Sequence, residues 1–279
     1  MNLYSSSLML TLDVAISTYR REGILRVEKM LPSPQKGVRY VVSWQAHGNE
    51  KIPENLSIRS DIEIHRFDIA GLSNNRNNAL DYCKSDIVLI ADDDLVYSHD
   101  FADKVRKAFY DYQDLDLAIF RIDFPNPKTY PEQDCVLSFP LPKNFYCCSV
   151  EIAFRRERIG DLKFWPGMGL GSKRFQCGED ELFVLAAIKR GLKCRFVNKV
   201  IACHPEESTG TKISSGILRG QGFILGRMYP LSCNARIPLK AYRLTRWQEV
   251  SFFKAVFHLS IGAFLSKVVW RRIPKCYKW

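Results

Sequence analysis

Residues 86–97, DIVLIADDDLVY, constrain what this 279-residue chain can fold into more than any other stretch. Residues 86–91 are almost wholly apolar, the pattern of a strand covered on both faces. Such a strand belongs in a sheet with helices on either side. Three consecutive aspartates end it, and adjacent like charges raise one another's pKa at a cost in free energy. A divalent cation removes that cost, because Mg²⁺ and Mn²⁺ take hard oxygen ligands from carboxylates and phosphates. A solvated acidic turn is the plainer alternative. The setting of the segment within alternating strands and helices favours the cation.

That alternation runs through the first 120 residues. Residues 12–17 (LDVAIS), 38–44 (VRYVVSW), 61–67 (DIEIHRF) and 117–122 read as strands, and residues 22–31, 74–84 and 100–112 as helices. The order implies an α/β fold with a mostly parallel sheet flanked by helices. In such sheets ligands bind outside the carboxyl ends of the strands. The residues there are 18–20, 45–48 and the aspartates Asp92, Asp93 and Asp94. Residues 123–146 hold Pro125, Pro127, Pro131, Pro140 and Pro142 and read as a long ordered loop or an acceptor-side excursion. Regular pattern resumes at 149–155 (SVEIAFR).

Two later segments carry further candidate groups. In residues 167–184, GMGLGSKRFQCGEDELFV, a glycine-rich turn leads to Glu179, Asp180 and Glu181 at the start of a helical pattern. The helix macrodipole stabilises negative charge there, and a carboxylate kept ionised is a competent general base. Plain helix capping explains the same position. A strand over 195–203 then delivers His204 to a loop, as a third metal ligand or as a structural residue.

The net charge of +11 is uneven. From Ala235 onward ten Lys and Arg face one acid, Glu249, giving 10 − 1 = +9 and leaving +2 for the rest. Residues 236–279 read as one or two helices rich in aromatic and basic side chains. They either pack on the main domain or lie on an anionic membrane surface. No run of 18 apolar residues occurs, and the nearest approach, 255–266, is too short, so no full membrane span is expected. Nine cysteines without a C-x-x-C pair argue against a zinc ribbon. Their odd number, with no basic region ahead of the first apolar segment, implies reduced thiols in a cytoplasmic setting. Nucleic acid is not an expected partner, since no RNA-binding, helix-turn-helix or zinc pattern accompanies the basic residues. A nucleotidyltransferase would need a phosphate-cradling Gly-Lys/Arg loop near the first strand, and STYRREG is a poor one. A non-catalytic nucleotide-sugar- or sugar-binding protein would not require the intact acids.

Taken in order, LDVAISTYRRE, GLSNNRNNAL, ADDD, GLGSKRFQCGEDELF and the histidine of CHPEESTG resemble family 2 glycosyltransferases of the GT-A fold, over about residues 12–210. The resemblance implies a Rossmann-like GT-A domain over 1–234 and a C-terminal helical extension over 235–279. It implies an inverting, metal-dependent transfer of a sugar from a nucleotide-diphosphate sugar, with a UDP-sugar favoured, to a saccharide or lipid-linked saccharide hydroxyl. The setting it implies is bacterial surface polysaccharide biosynthesis at the inner face of the cell membrane. Ser17, Thr18, Arg20, Arg76, Asp92 and Asp93 would border the donor, and Asp94 and His204 would hold Mn²⁺ or Mg²⁺. Asp180 would be the catalytic base, with Glu179 beside it. Two departures stand out. Ser43, Trp44 and Gln45 occupy the place where many relatives carry an aspartate on uracil, so Trp44 is either core or a stacking partner for the base. Arg243 replaces the glutamine of the processive Q-x-x-R-W motif ahead of Arg246 and Trp247, which implies transfer of single sugars.

Overall fold

The computed structural model describes residues 9–125, 129–142, 147–204, 213–247 and 250–279. Of the segments singled out above, 126–128, 143–146 and 205–210 lie outside them. In chain order the elements are β1 (Leu12–Tyr19), α1 (Arg20–Met30), β2 (Val38–Gln45), α2 (Glu54–Ser57), β3 (Ile62–Phe67) and α3 (Leu72–Asp81). Next come β4 (Ile87–Asp92), β5 (Val96–Tyr97), α4 (Phe101–Asp111), β6 (Leu117–Asp123), β7 (Cys135–Leu137), β8 (Ile152–Arg155) and α5 (Arg156–Ile159). The chain continues with α6 (Glu179–Lys189), β9 (Cys194–Cys203), α7 (Ser215–Met228), α8 (Cys233–Trp247) and α9 (Phe252–Trp270).

The chain divides into two compact units. The first comprises Met1–Ala70, Asn75–Asp161 and Ala187–Glu207, and the second Gly71–Asn74, Leu162–Ala186 and Ser208–Trp279. All the strands belong to the first unit, in the order β3-β2-β1-β4-β8-β6-β9-β5, with β7 paired to β9. β1, β2 and β4 are buried along nearly their whole length, as runs covered on both faces must be. α4 buries Phe101, Ala102, Val105, Ala108 and Phe109, one stripe at helical spacing.

The sheet is mixed rather than purely parallel, with parallel pairing predominating as expected. β1 pairs parallel with β2 and β4, β2 with β3, and β6 with β9. β8, however, runs antiparallel to both β4 and β6, and β5 and β7 run antiparallel to β9. Parallel neighbours need a crossover, usually a helix. β8 instead follows the proline-rich excursion, which contains the short strand β7, and enters the sheet in the opposite sense. Two buried polar contacts tie β2 to its neighbours. Asp13, fully buried on β1, accepts from Arg39 Nε and Nη2 on β2 at 2.9 and 2.8 Å, and from the Ser85 amide at 2.9 Å. Trp44 is fully buried and its Nε1 donates to the Arg20 carbonyl at 2.8 Å, so it is a core residue.

In the second unit Leu218, Cys233, Ile237, Ala241, Ala255, Leu259 and Ala263 form a core between α7, α8 and α9. A Cβ added at Gly222 or Gly262 would lie 2.1 Å from the facing helix's carbonyl oxygen, of Leu259 or Arg219, so these glycines allow backbone-to-backbone contact. α9 is longer than the apolar run read from the sequence. Its 19 residues extend beyond the apolar run at both ends and meet the length and composition of a membrane span. All nine cysteines are free thiols.

Candidate active site

In the first unit the parallel pairing of β1 and β4 sets Ser17 opposite Asp92. The carboxyl ends of both strands therefore deliver their polar residues side by side. Thr18 Oγ1 donates to Asp93 Oδ2 at 2.5 Å, and Arg26 of α1 closes a fork on Asp93 Oδ1 through Nε at 3.0 Å and Nη2 at 2.8 Å. Burial pushes the Asp93 carboxyl above its ordinary value, and the bonds from Thr18 and Arg26 oppose that rise. Gly23 lies over this contact, and a Cβ there would sit 2.2 Å from Thr18 Oγ1 and 2.5 Å from Asp93 Oδ2. Buried Arg76 of α3 directs Nη2 to Asp92 at 3.3 Å, and the Asn75 side-chain amide donates to the Thr18 carbonyl at 2.9 Å. Arg20 has φ of 60°, the left-handed region that few side chains tolerate, and stacks its exposed guanidinium over Tyr19 at 4.9 Å. Backbone strain of that kind is commonest at functional sites.

Asp94 and His204 meet at the same edge. The His204 amide donates to the Asp123 carbonyl at 2.8 Å, and Phe124 packs 5.7 Å from the imidazole. This places His204 Nε2 3.4 Å from Asp94 Oδ1, with the histidine buried. That separation is too long for a strong hydrogen bond. Asp94 Oδ1 is buried without a hydrogen-bond partner, as are Ser17 Oγ and Asn75 Oδ1. Burial pushes the Asp94 carboxyl up, with His204 opposing and Asp92 and Asp93 adding to the rise. An orphaned buried carboxylate oxygen beside an imidazole nitrogen fits a divalent cation. No three His, Cys, Asp or Glu side chains gather into a ligand set among the described residues. Two protein ligands are nonetheless enough for a hard cation that also binds substrate phosphates.

In the second unit the glycine-rich segment forms a turn in which Gly169, Gly171 and Gly178 have φ of 99°, 85° and 98°. Ser73 Oγ donates to the Met168 carbonyl at 2.7 Å, and a Cβ at Gly169 would press on the Glu179 carboxyl at 3.0 Å. Glu179 is buried and Asp180 half-buried in the first turn of α6. The structure thus gathers Ser17, Thr18, Arg76, Asp92, Asp93, Asp94 and His204 at strand ends of the first unit, with Arg20 following β1. Glu179 and Asp180 belong to the second. Arg26, Gly23 and Asn75 were missed from the sequence. A glycine inside a helical pattern was the available signal for Gly23, and the NNRNN run for Asn75.

The glycosyl transferase family 2 model matches residues 50–166. No curated protein matches by sequence. Among solved structures, S. aureus TarS is 16% identical with a TM-score of 0.58, over 85% of this chain and 43% of that one, so this chain spans under half of its length. The 1-349 portion of TarS in complex with UDP-GlcNAc is 14% identical with a TM-score of 0.59, over 94% and 92% of the two chains. The same portion with UDP gives 14% and 0.56 over the same shares. At these identities the likeness establishes the fold. Over residues 50–166 the chain is therefore similar to glycosyl transferase family 2, and its fold is the GT-A fold of the TarS structures.

Proposed function

We propose that the protein is an inverting, metal-dependent, non-processive glycosyltransferase, moving one sugar from a nucleoside-diphosphate sugar to an acceptor hydroxyl. The observation that carries this reading is the buried, unbonded Asp94 Oδ1 lying 3.4 Å from His204 Nε2 at the carboxyl edge of the sheet. A Mn²⁺ or Mg²⁺ ion held by Asp94 and His204 would act as a Lewis acid toward the leaving diphosphate. Arg76 and Asp92 bind the donor, with Ser17, Thr18 and Arg20 along its nucleotide side. Asp93 holds Thr18 and α1 in place for that contact. Asp180 takes the proton from the acceptor hydroxyl, and Glu179 supports it at the helix N-terminus. A UDP-sugar is the favoured donor, supported by the UDP-GlcNAc and UDP complexes of TarS. Residues 1–234 serve as the transferase domain and 235–279 as its extension. The acceptor is a saccharide or lipid-linked saccharide of bacterial surface polysaccharide assembly, met at the cytoplasmic face of the membrane.

The test is binding and turnover across UDP-, GDP- and dTDP-sugars with Mn²⁺, Mg²⁺ or EDTA. Cation-dependent binding of one donor, abolished in Asp94→Ala, is expected. Asp180→Asn should keep that binding and lose more than about 99% of turnover, the scale of general-base assistance. Cation-independent behaviour toward every donor would overturn the proposal.

A further inference from the structure

Helix α9 has two unlike faces. Ala255, Leu259, Gly262, Ala263 and Ser266 are buried, and the close glycine contacts hold that face on α7. Phe253, Phe257, Phe264 and Val268 are 83%, 62%, 64% and 47% exposed. Separations of four, seven and four residues put these four on one line along the helix. Exposed Ser260, Lys267 and Arg271 fall on the same line. Large aromatic side chains grouped in water mark a binding surface.

The charge around the stripe selects its occupant. Lys254, Lys267, Arg271 and Arg272 are exposed beside it, and from Ser208 to the last residue the sole acid in the sequence is Glu249. A second copy of this chain would set positive against positive. Aromatic insertion with a basic rim is instead the pattern of a helix lying in an anionic lipid interface. We infer that α9 lies in the plane of such a surface, with Phe253, Phe257 and Phe264 inserted among anionic phospholipid headgroups. The length of the helix would suffice for a span, but a span would strip the glycine-lined face from α7. The inference rests on the proposed membrane partnership and is independent of the sugar-transfer chemistry.

The experiment is co-sedimentation of the full chain with phosphatidylcholine vesicles, with and without phosphatidylglycerol, at low and high salt. Binding to the phosphatidylglycerol vesicles, weakened by salt, is expected. The triple variant Phe253→Ser, Phe257→Ser, Phe264→Ser should bind at least about tenfold more weakly with an unchanged thermal melt. Lys267→Gln with Arg271→Gln should weaken binding and flatten its salt dependence. Equal binding to phosphatidylcholine alone, or wild-type binding by the triple variant, would overturn the inference. So would a membrane fraction that resists alkaline carbonate, or a dimer that the phenylalanine changes dissociate while vesicle binding stays intact. Donor binding, measured on the same samples, reports separately on the transferase reading.

Discussion

Gly23 lies inside α1, where alanine would ordinarily be favoured by about 1 kcal/mol. Here the added Cβ would sit 2.2 Å from Thr18 Oγ1 and 2.5 Å from Asp93 Oδ2. Both side chains are buried, and Arg26 holds the carboxylate from the other side, so the pair must part to make room. The bond lost is one to a charged group, worth about 1.5–3 kcal/mol. Set against the helical gain, Gly23→Ala should destabilise the protein by about 0.5–2 kcal/mol, lowering Tm by roughly 1–8 °C. Donor affinity should fall with it, because Thr18 is displaced. The discriminating assay is a thermal-melt cycle with Thr18→Ala. Once the hydroxyl is gone, Asp93 can retreat into its space, and alanine at 23 should become neutral or stabilising by up to about 1 kcal/mol. The coupling between the two changes should therefore be about 2 kcal/mol. A single variant that melts at or above the wild-type temperature, or equal effects in both backgrounds, would refute the reasoning.

Gly262→Ala should destabilise by about 1–3 kcal/mol in urea denaturation despite the better helix propensity, because the new Cβ meets the Arg219 carbonyl oxygen at 2.1 Å and fixed backbone cannot rotate away. An unchanged midpoint would show that α7 and α9 can slide apart freely. Asp13→Asn should cost about 3 kcal/mol near neutral pH, since it leaves Arg39 facing a neutral group in a buried pair. Burial raises the Asp13 carboxyl, but the bonds from Arg39, Ser85 and Lys84 outweigh it and hold its pKa below the ordinary value of 3.8. Its contribution is thus complete above the unfolded value and is lost as pH falls below about 4, so wild type and variant should converge in acid. Parallel urea curves at both pH values would count against that assignment.

Much of the framework is legible because its signals are local. The apolar run ahead of Asp92 specifies a two-sided buried strand from side chains a few residues apart, and the stripe of α4 does the same for a helix. The regular pattern of SVEIAFR likewise marks an element, whose residues Ile152–Arg155 form β8, but carries nothing about its direction. That followed from the connection out of β6, which holds no crossover α-helix among its described residues. α7 gave no clear helical signal, since Gly216, Gly220, Gly222 and Gly226 lower its propensity. Their use appears only in the packing, where Gly220 and Gly222 face backbone carbonyls, Gly226 faces Ser266 and the Ala263 backbone, and Gly216 faces the Gln176 side chain.

The sequence by itself determined which segments alternate as strand and helix, and that acids would stand at the end of a buried strand. Both depend on periodicity and burial over a few residues. Tertiary structure alone decided that β8 inserts between β4 and β6 and that Trp44 is sealed in the core. It also decided that Asp93 carries Thr18 and Arg26, while Asp94 Oδ1 comes within 3.4 Å of His204. Those outcomes depend on contacts between residues far apart in the chain, whose geometry is set by sheet register and helix packing and leaves no local trace.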